Sequence, residues 1–318
     1  MSKGAIKIGP YSRERRLENM KQLAELRQIK FHIPKLPVYS DADDLLVLCS
    51  IAFNHMRNIQ WTSEIENFHS GFNLALQAQD ARLSNHDYMD ILEVTGVEAD
   101  ERKHSSILIE NFFKVAIKNV FPFARQLPGM MNLREAEILF NILSSINIVH
   151  LTFAVLGVYT WQGEEFFLNL QNYRLGLDRN HMIQISNQEI ADFHIEYHKR
   201  FLNLQLTWEE TMLILAINLV SSQKKCKESM AAHNRLVLAF TRYMQSTYGN
   251  SFVIRLQSII NFLAYFKQFD GLVKKFYEQN KKYLNYVFPG VLLKFLYNIG
   301  QVEESKNLLD DLQKYALQ

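Results

Sequence analysis

The sequence predicts an all-α protein built as a three-layer antiparallel helical sandwich. Only twelve glycines and six prolines interrupt its 318 residues, and between them apolar residues recur at steps of three and four, the spacing of helices. Two segments, near 104–127 and within 133–158, are apolar around most of their circumference, which predicts burial on both sides and hence a middle layer. Such a layer can border a ligand pocket, although a well-packed core is the more frequent arrangement.

The remaining helices follow from their apolar spacing and their end signals. The linker FHIPKLPVYSDAD, with two prolines and an Asp/Ser cluster, precedes a helix near 42–60. A polar loop, VTGVEADERKH, leads into the first of the two apolar segments, and the Pro-Gly pair at 128–129 separates that segment from the second. Further helices are expected near 187–205, 207–221, 227–247, 250–282, 290–298 and 302–316.

Composition and helix pattern divide the chain into three parts. Residues 1–40 form a basic, proline-containing segment that is expected to be largely flexible. Residues 41–298 carry the folded domain, and residues 299–318 form an amphipathic C-terminal extension helix. Within the domain, the segment 160–175 has aromatic residues around a glycine turn and favours a small β-hairpin.

Charge and cysteine content exclude several classes of protein. The formal net charge is +2, so no strong overall field attracts nucleic acid or an anionic membrane. The two cysteines, Cys49 and Cys226, form no CxxC pair, which argues against a zinc finger or a disulfide framework in this chain. No stretch of the chain is predicted to span a membrane, and no membrane association is expected.

Motifs that would indicate an enzyme or a metal site are weak. The chain has no GxSxG, no Walker loop and no GxGxxG with an acidic partner, so it is not expected to be an enzyme. The stretch ADFHIEYH places His194 and His198 one helical turn apart, near Asp192, the step used by helical zinc sites. No further ligand is apparent, so a solvated amphipathic face without metal is the favoured interpretation.

The stretch FPFARQLPGMMNL, residues 121–133, followed by an apolar helix, resembles the signature of the nuclear hormone receptor ligand-binding domain. The family next has an Asp-Gln pair, where this sequence departs with Glu137 and Ile138. The residues that match the signature are Phe123, Ala124, Arg125, Pro128, Gly129 and Leu133.

Three further stretches extend the resemblance over residues 41–298. LTWEETMLILAINLVSS, residues 206–222, resembles the family's helix 8, and residues 255–277 resemble its long helix 10–11. FPGVLLKFL falls where the family has its activation helix, helix 12. The resemblance implies the family's three-layer sandwich and a divergent member of the kind expanded in nematodes.

The N-terminal stretch MSKGAIKIGPYSRERR resembles the tail of the zinc-finger DNA-binding domain of the same family. Residues 1–40 are then that tail and the hinge. Because this chain lacks zinc-ligand cysteines, DNA contact is expected only through zinc fingers that belong to the full-length form. The resemblance implies a nuclear location.

The resemblance implies a transcription regulator that senses a lipophilic molecule, or an orphan receptor whose pocket is filled. No other cofactor is expected in this chain. His150 is a candidate polar anchor for the ligand, although a satisfied core histidine is the commoner role of such a residue. The expected pocket residues are Ile109, Phe112, Phe113, Ala116 and His150.

A groove that binds coregulator helices is implied next to the signature. In the family, the cation at the position of Arg125 caps the C-terminal end of an LxxLL helix, where the helix dipole is negative. Lys294 stands where the family has a glutamate for the positive N-terminal end, so the usual docking mode is expected to be weakened. The expected groove residues are Phe121, Arg125, Leu139, Leu143, Leu292 and Lys294.

A second stretch competes for the role of helix 12. NLLDDLQ, which contains Leu308, Leu309, Asp310, Asp311 and Leu312, has the same apolar pattern with aspartate for glutamate, but it lies later than the family spacing predicts. If VLLKFL is helix 12, the terminal helix could instead cover the groove in place of a coregulator.

The segment 255–277 is expected to form a dimer face with a second copy or with another nuclear receptor. Its expected contact residues are Arg255, Leu256, Ile259 and Phe262. The resemblance also implies a structural salt bridge between Glu210 and Arg255. Two alternatives remain: an all-helical adaptor with a filled core and no ligand, and a helical enzyme, which would require a cleft with converging titratable groups.

Overall fold

A computed structural model describes residues 40–57, 83–100, 102–162, 165–170, 173–177, 186–221, 227–281 and 291–296, together with positions 179, 183, 284, 287 and 312. From residue 41 onward they belong to one compact unit, Asp41–Gln318. The predicted tail and hinge, 1–39, and the predicted helix 302–316, apart from Leu312, lie outside the described residues.

Helix dominates the described part of the chain, so the all-α prediction is confirmed at that level. The helices are α1 Ser40–Asn54, α2 Asn85–Thr95, α3 Arg102–Arg125, α4 Glu135–Ser144, α5 Ile146–Val155, α6 Gln188–Leu204, α7 Trp208–Ser221, α8 Lys227–Tyr248, α9 Phe252–Gln279 and α10 Val291–Leu296. Short 3₁₀ turns, His55–Arg57 and Gly249–Ser251, follow α1 and precede α9.

The helix α2 was not among the predicted elements, but local signals define both of its ends. The Ser84 side chain accepts a hydrogen bond from the backbone N–H of Asp87 at 3.1 Å, which caps the N-terminus. Gly96 ends the helix in the left-handed conformation, with φ +69°. These signals are short, and the helix is only three turns long, which makes it easy to overlook in sequence.

The single helix predicted over 133–158 is wrong, because the chain breaks into α4 and α5 at Ser145. Ser145 has φ −111° and ψ 15°, outside the helical region. Its hydroxyl donates to the Asn218 carbonyl of α7 at 3.3 Å, while the Ser144 hydroxyl donates to the Phe140 carbonyl one turn back at 2.8 Å. The Ser145 hydroxyl therefore bonds α7 at the residue where α4 ends and α5 begins.

The segment predicted as a β-hairpin lies in a three-stranded antiparallel sheet of order β1-β2-β3. Thr160 faces Phe167 in the first strand pair, and Phe167 faces Gly176 in the second. Helix α5 packs against the first strand, so the sheet continues directly from the helical core. The strands are β1 Tyr159–Gln162, β2 Glu165–Leu170 and β3 Tyr173–Leu177.

Helix α7 lies at the centre of the described core. It packs on α4, α5 and α8, and its buried residues cover most of its circumference: Glu210, Thr211, Met212, Leu213, Ile214, Leu215, Ala216, Leu219 and Val220. Helix α3 packs on α4 and α5, while α6 packs on α9. No helix among the described residues combines the length and apolar character needed to cross a membrane.

Candidate functional site

The C-terminal end of α3 divides sharply into a buried and an exposed side. Phe123 and Ala124 are completely buried, whereas the side chain of Arg125, one position later, is 59% exposed. Successive helical positions point about 100° apart, so an inward apolar pair can be followed at once by an outward cation. Arg125 lies 3.7 Å from the Glu135 carboxylate at the start of α4, and its charge is favourable at the negative end of α3.

The turn after α3 is held against α8. Gly129 has φ +80°, a conformation that residues with a side chain rarely adopt. A Cβ at Gly129 would lie 2.8 Å from the Cβ of Ala232, so the turn approaches α8 too closely for any other residue. Leu127 and Met130, on either side of the glycine, are fully buried and anchor the turn in the core.

Four of the predicted groove residues are buried, which corrects their assignment to an open groove. Phe121, Leu139, Leu143 and Leu292 are each at most 3% exposed, because they fill the core to which α3, α4 and α10 contribute. Of the predicted set, the exposed Arg125 and the half-buried Lys294 remain available to a partner. The apolar side chains that sequence analysis missed on this part of the surface are Met131, 61% exposed, and Phe140, 47% exposed.

The competing stretch near the C-terminus contributes one described residue. Leu312 is 2% exposed and belongs to the main core cluster. Residues 308–311 lie outside the described residues. The C-terminal extension therefore packs at least one leucine on the domain.

Of the predicted pocket residues on α3, Phe112 and Ala116 are buried in the protein. Phe112 is 9% exposed and Ala116 is 2% exposed. The ring of Phe112 lies edge-on to Phe113 at 6.0 Å and to Phe153 of α5 at 6.1 Å between centroids. The Phe112 ring thus connects α3 with α5. The side chains of Ile109 and His150 lie outside the described part of the chain.

Two of the four residues predicted for a dimer face on α9 require correction. Ile259 and Phe262 are 1% and 5% exposed, and the Phe262 ring stacks on Tyr197 of α6 at 5.4 Å. Phe262 faces α6, and both side chains are buried within the domain. The large apolar side chains that α9 exposes are Val253 at 56%, Ile254 at 72% and Ile260 at 50%.

The predicted ion pair between Glu210 of α7 and Arg255 of α9 is formed and buried. The two carboxylate oxygens of Glu210 accept from Arg255 Nε at 2.8 Å and Nη2 at 2.5 Å, a bidentate arrangement. The side chains are 0% and 18% exposed. Arg255 also donates to the carbonyls of Leu204 and Gln205, and the hydroxyl of Tyr248 donates to Glu210. The hydrogen bonds to Glu210 raise the pKa of the Arg255 guanidinium.

The acidic and imidazole groups of the ADFHIEYH stretch are engaged in other contacts. Asp192 accepts from Arg179 Nε at 2.6 Å, a bond that lowers the pKa of the Asp192 carboxyl. His198 Nδ1 lies 2.9 Å from the carbonyl of His194, and its ring packs 4.8 Å from that of Trp161. No group of three or more potential metal ligands is found among the described residues.

Sequence analysis missed a buried clasp at the start of α3. Arg102 Nε donates to Asp100 Oδ1 at 2.6 Å, and Arg102 Nη2 donates to the Leu83 carbonyl at 2.7 Å. The Leu83 N–H donates in turn to Asp100 Oδ2, and the Arg102 guanidinium covers the ring of Tyr88 at 4.0 Å. The clasp ties both ends of the α2 segment together. The sequence pattern predicted only a polar loop for the stretch that contains Asp100 and Arg102.

Three of the stretches that carry the family resemblance, 121–133, 206–222 and 255–277, are connected in space. The turn at Gly129 packs on α8, α8 packs on α7, and Glu210 of α7 pairs with Arg255 of α9. The function must be inferred from this geometry. A scan against models of known protein families finds no match, and a search of curated proteins finds none either.

Proposed function

We propose that this chain is the regulatory module of a divergent nuclear receptor, a ligand-binding domain with the family's three-layer sandwich that controls transcription in the nucleus. The observation that carries the proposal is the buried pair of Glu210 and Arg255. It joins two of the stretches that resemble the family, and it lies where the resemblance requires an ion pair. DNA contact would come from zinc fingers in the full-length form.

The partner of this module is a coregulator helix docked beside Arg125. An exposed guanidinium at the end of α3 can hydrogen-bond the free carbonyls at the C-terminal end of a docked helix. Met131 and Phe140 offer exposed apolar surface on the following turn and on α4. Lys294 opposes the N-terminal end of such a helix, so the natural partner carries acidic residues there.

Peptide binding to matched variants tests this proposal. A labelled LxxLL peptide is titrated against the wild-type chain and against the Lys294→Glu and Arg125→Glu variants, with fluorescence polarisation as the readout. A charge near a helix end changes the binding free energy by about 0.3–1 kcal/mol. Reversing the charge at position 294 removes a repulsion and adds an attraction of this size, so the peptide should bind roughly 3- to 30-fold more tightly. Arg125→Glu should weaken binding by a similar factor.

The control is Lys267→Glu, which reverses the charge of an exposed lysine on α9, away from Arg125 and Lys294 in the sequence. It should leave the affinity for the peptide unchanged. Equal effects of all three variants would indicate non-specific attraction between peptide and protein. No change at either Arg125 or Lys294 would reject the proposed docking site.

A second candidate function is an all-helical adaptor with a filled core and no ligand. The contacts of Phe112 with Phe113 and Phe153 favour it, because these rings occupy the space expected for a ligand. Mass spectrometry of the purified chain, native and after denaturing extraction, distinguishes the two functions. A stoichiometric lipophilic molecule supports the ligand-regulated module, and a clean protein that no lipid stabilises thermally supports the adaptor.

A further inference from the structure

The described part of the core divides into a main cluster and a small second cluster. The second cluster consists of Tyr88 of α2 with Leu284 and Val287, which follow α9 in the chain. These three side chains are at most 5% exposed, yet none of them belongs to the main cluster. A region with few buried contacts of its own can open while the main core stays folded.

Helix α9 extends from the main cluster to the second one. Ile259, Phe262 and Phe266 are buried in the main cluster, and Phe269 packs against it. Tyr277, near the C-terminal end of the helix, packs on the second cluster instead. The packing partners of α9 therefore change between positions 269 and 277.

Gly271 lies within this interval, in the interior of the helix. It is exposed, and no described atom lies within 4 Å of a Cβ built on it, so packing does not require a glycine here. A glycine in a helix interior lowers helix stability relative to alanine. The ion pair of Asp270 with Lys274 spans this position, but it is partly exposed and contributes little. The helix is thus weakened where its packing partners change.

One buried hydrogen bond connects the segment beyond Gly271 to the start of α3. The hydroxyl of Ser106, which is 3% exposed, donates to the backbone carbonyl of Val287. The same hydroxyl lies 2.8 Å from the carbonyl of Lys103 in its own helix. Because a serine hydroxyl has a single proton, it can donate to Lys103 when Val287 moves away. The bond can therefore break without leaving a buried donor unpaired.

We propose that the end of α9, residues 272–279, is a lid that opens about Gly271 when the hydrogen bond between Ser106 and Val287 breaks. In the closed state, Tyr277 packs on the second cluster. The main cluster stays intact in the open state, because the described residues that α9 contributes to it all precede Gly271.

Opening the lid uncovers an apolar surface on α2, α3 and α10. Phe113 of α3 and Leu296 of α10 pack on both clusters, so each loses part of its cover when the second cluster opens. Tyr88 stays in place, because the Arg102 guanidinium covers its ring and also bonds the Leu83 carbonyl before α2. The lid thereby controls access to Phe113, Leu296 and Tyr88 without unfolding of the main core.

Hydrogen exchange of the purified wild-type chain tests the lid. The amides of residues 272–279 should open as one unit, so their exchange should be uniformly faster than that of residues 255–266, with a step at Gly271. A helix that only frays at its end would show exchange that rises gradually toward Gln279. That gradual pattern, or equal protection on both sides of Gly271, overturns the proposal.

Two variants should shift the opening of the lid in opposite directions. Ser106→Ala removes the bond to Val287 and should speed the exchange of residues 272–279 by about two- to fivefold. Gly271→Ala strengthens the helix at the hinge and should slow this exchange by about two- to fivefold. Because Gly271 is exposed, the second variant retains the fold and decides the question even if Ser106→Ala does not fold. Unchanged exchange in Gly271→Ala rejects the hinge.

The control Tyr243→Phe separates opening of the lid from unfolding of the whole domain. It removes a hydroxyl of α8 that is bonded to Thr207 at 3.1 Å, far in sequence from the lid. It should speed exchange of residues 255–266 by about fivefold and leave residues 272–279 unchanged. If it speeds both segments by the same factor, the two parts of α9 unfold together and the proposal is wrong.

Discussion

At the scale of single residues, the ion pair of Glu210 and Arg255 connects four helices. Glu210 receives bonds from Arg255, from Tyr248 and from the N–H of Thr207. The carboxylate is completely buried, so its solvation by water is replaced by these fixed donors. The ends of α6 and α8 and the starts of α7 and α9 meet at this one group.

Removing one partner of the pair should be strongly destabilising. Arg255→Met leaves the Glu210 carboxylate buried without its cation, which should lower the free energy of unfolding by about 3–5 kcal/mol. Urea unfolding measures the loss. The matched control, Lys274→Met, breaks an exposed pair with Asp270 on the same helix and should change stability by about 0.5 kcal/mol or less.

The double variant Glu210→Leu with Arg255→Met separates charge burial from general damage to the helix contact. With both charges gone, no carboxylate is left unpaired, so the double variant should be more stable than Arg255→Met alone. A double variant that is less stable than the single one would show that the charge is not the cause.

At the scale of elements, the turn between α3 and α4 has two separate reasons for its glycine. One reason is local, since the φ of +80° at Gly129 strains any residue with a side chain. The other is tertiary, since Ala232 of α8 occupies the space that a side chain would need. The glycine of this motif is therefore required both by the backbone conformation of the turn and by the close approach of α8.

A comparison of two glycines separates these reasons. Gly96 has a similar φ of +69°, but nothing lies within 4 Å of a Cβ built on it. Gly96→Ala should cost about 1–2 kcal/mol from backbone strain alone, and Gly129→Ala should cost about 1–3 kcal/mol more from the clash. Unfolding in urea measures both. Equal losses of stability at Gly96 and Gly129 would mean that α8 moves away from the new side chain without a cost in free energy.

Combining Gly129→Ala with Ala232→Gly tests whether the clash is local. Ala232→Gly by itself should cost about 1 kcal/mol, because glycine weakens a helix interior. The two changes together should cost less than their sum, because the second removes the atom that the first would strike. If the two losses of stability simply add in the double variant, the strain in Gly129→Ala does not come from the contact with Ala232.

At the scale of the whole molecule, α9 has a buried side and an open apolar side. The buried side packs on α6, and the open side presents Val253, Ile254 and Ile260. Exposed aliphatic residues grouped on one helix are typical of a surface that binds another protein. The proposed receptor module would use this side to pair with a second copy or a related receptor.

Charge placed on the open side of α9 should prevent self-association. The wild-type chain is expected to dimerise, and Ile254→Glu should give a monomer because a desolvated carboxylate opposes the interface. Light scattering coupled to size-exclusion chromatography measures the mass. The control, Val94→Glu, alters a valine on α2 that is 84% exposed and should leave the dimer intact. A wild-type monomer at every concentration would reject the dimer.

The sequence by itself determined the helical class and most helix positions, because helix formation follows apolar spacing and end signals within a few neighbouring residues. It placed the end of α3 at Arg125 to within two residues, and it placed α7 and α8 to within one. It also paired Glu210 with Arg255 through the resemblance. Apolar spacing and short-range signals are sufficient for the helix predictions, whereas the ion pair was predicted from the resemblance.

Only the tertiary structure decided which face of each helix is buried. Helix α9 is apolar on two sides, so periodicity could not distinguish Ile259, which packs inside, from Ile260, which remains exposed. The break at Ser145 likewise involves a residue distant in sequence, Asn218 of α7. Burial is a property of what packs against a residue, and that partner is chosen by the fold.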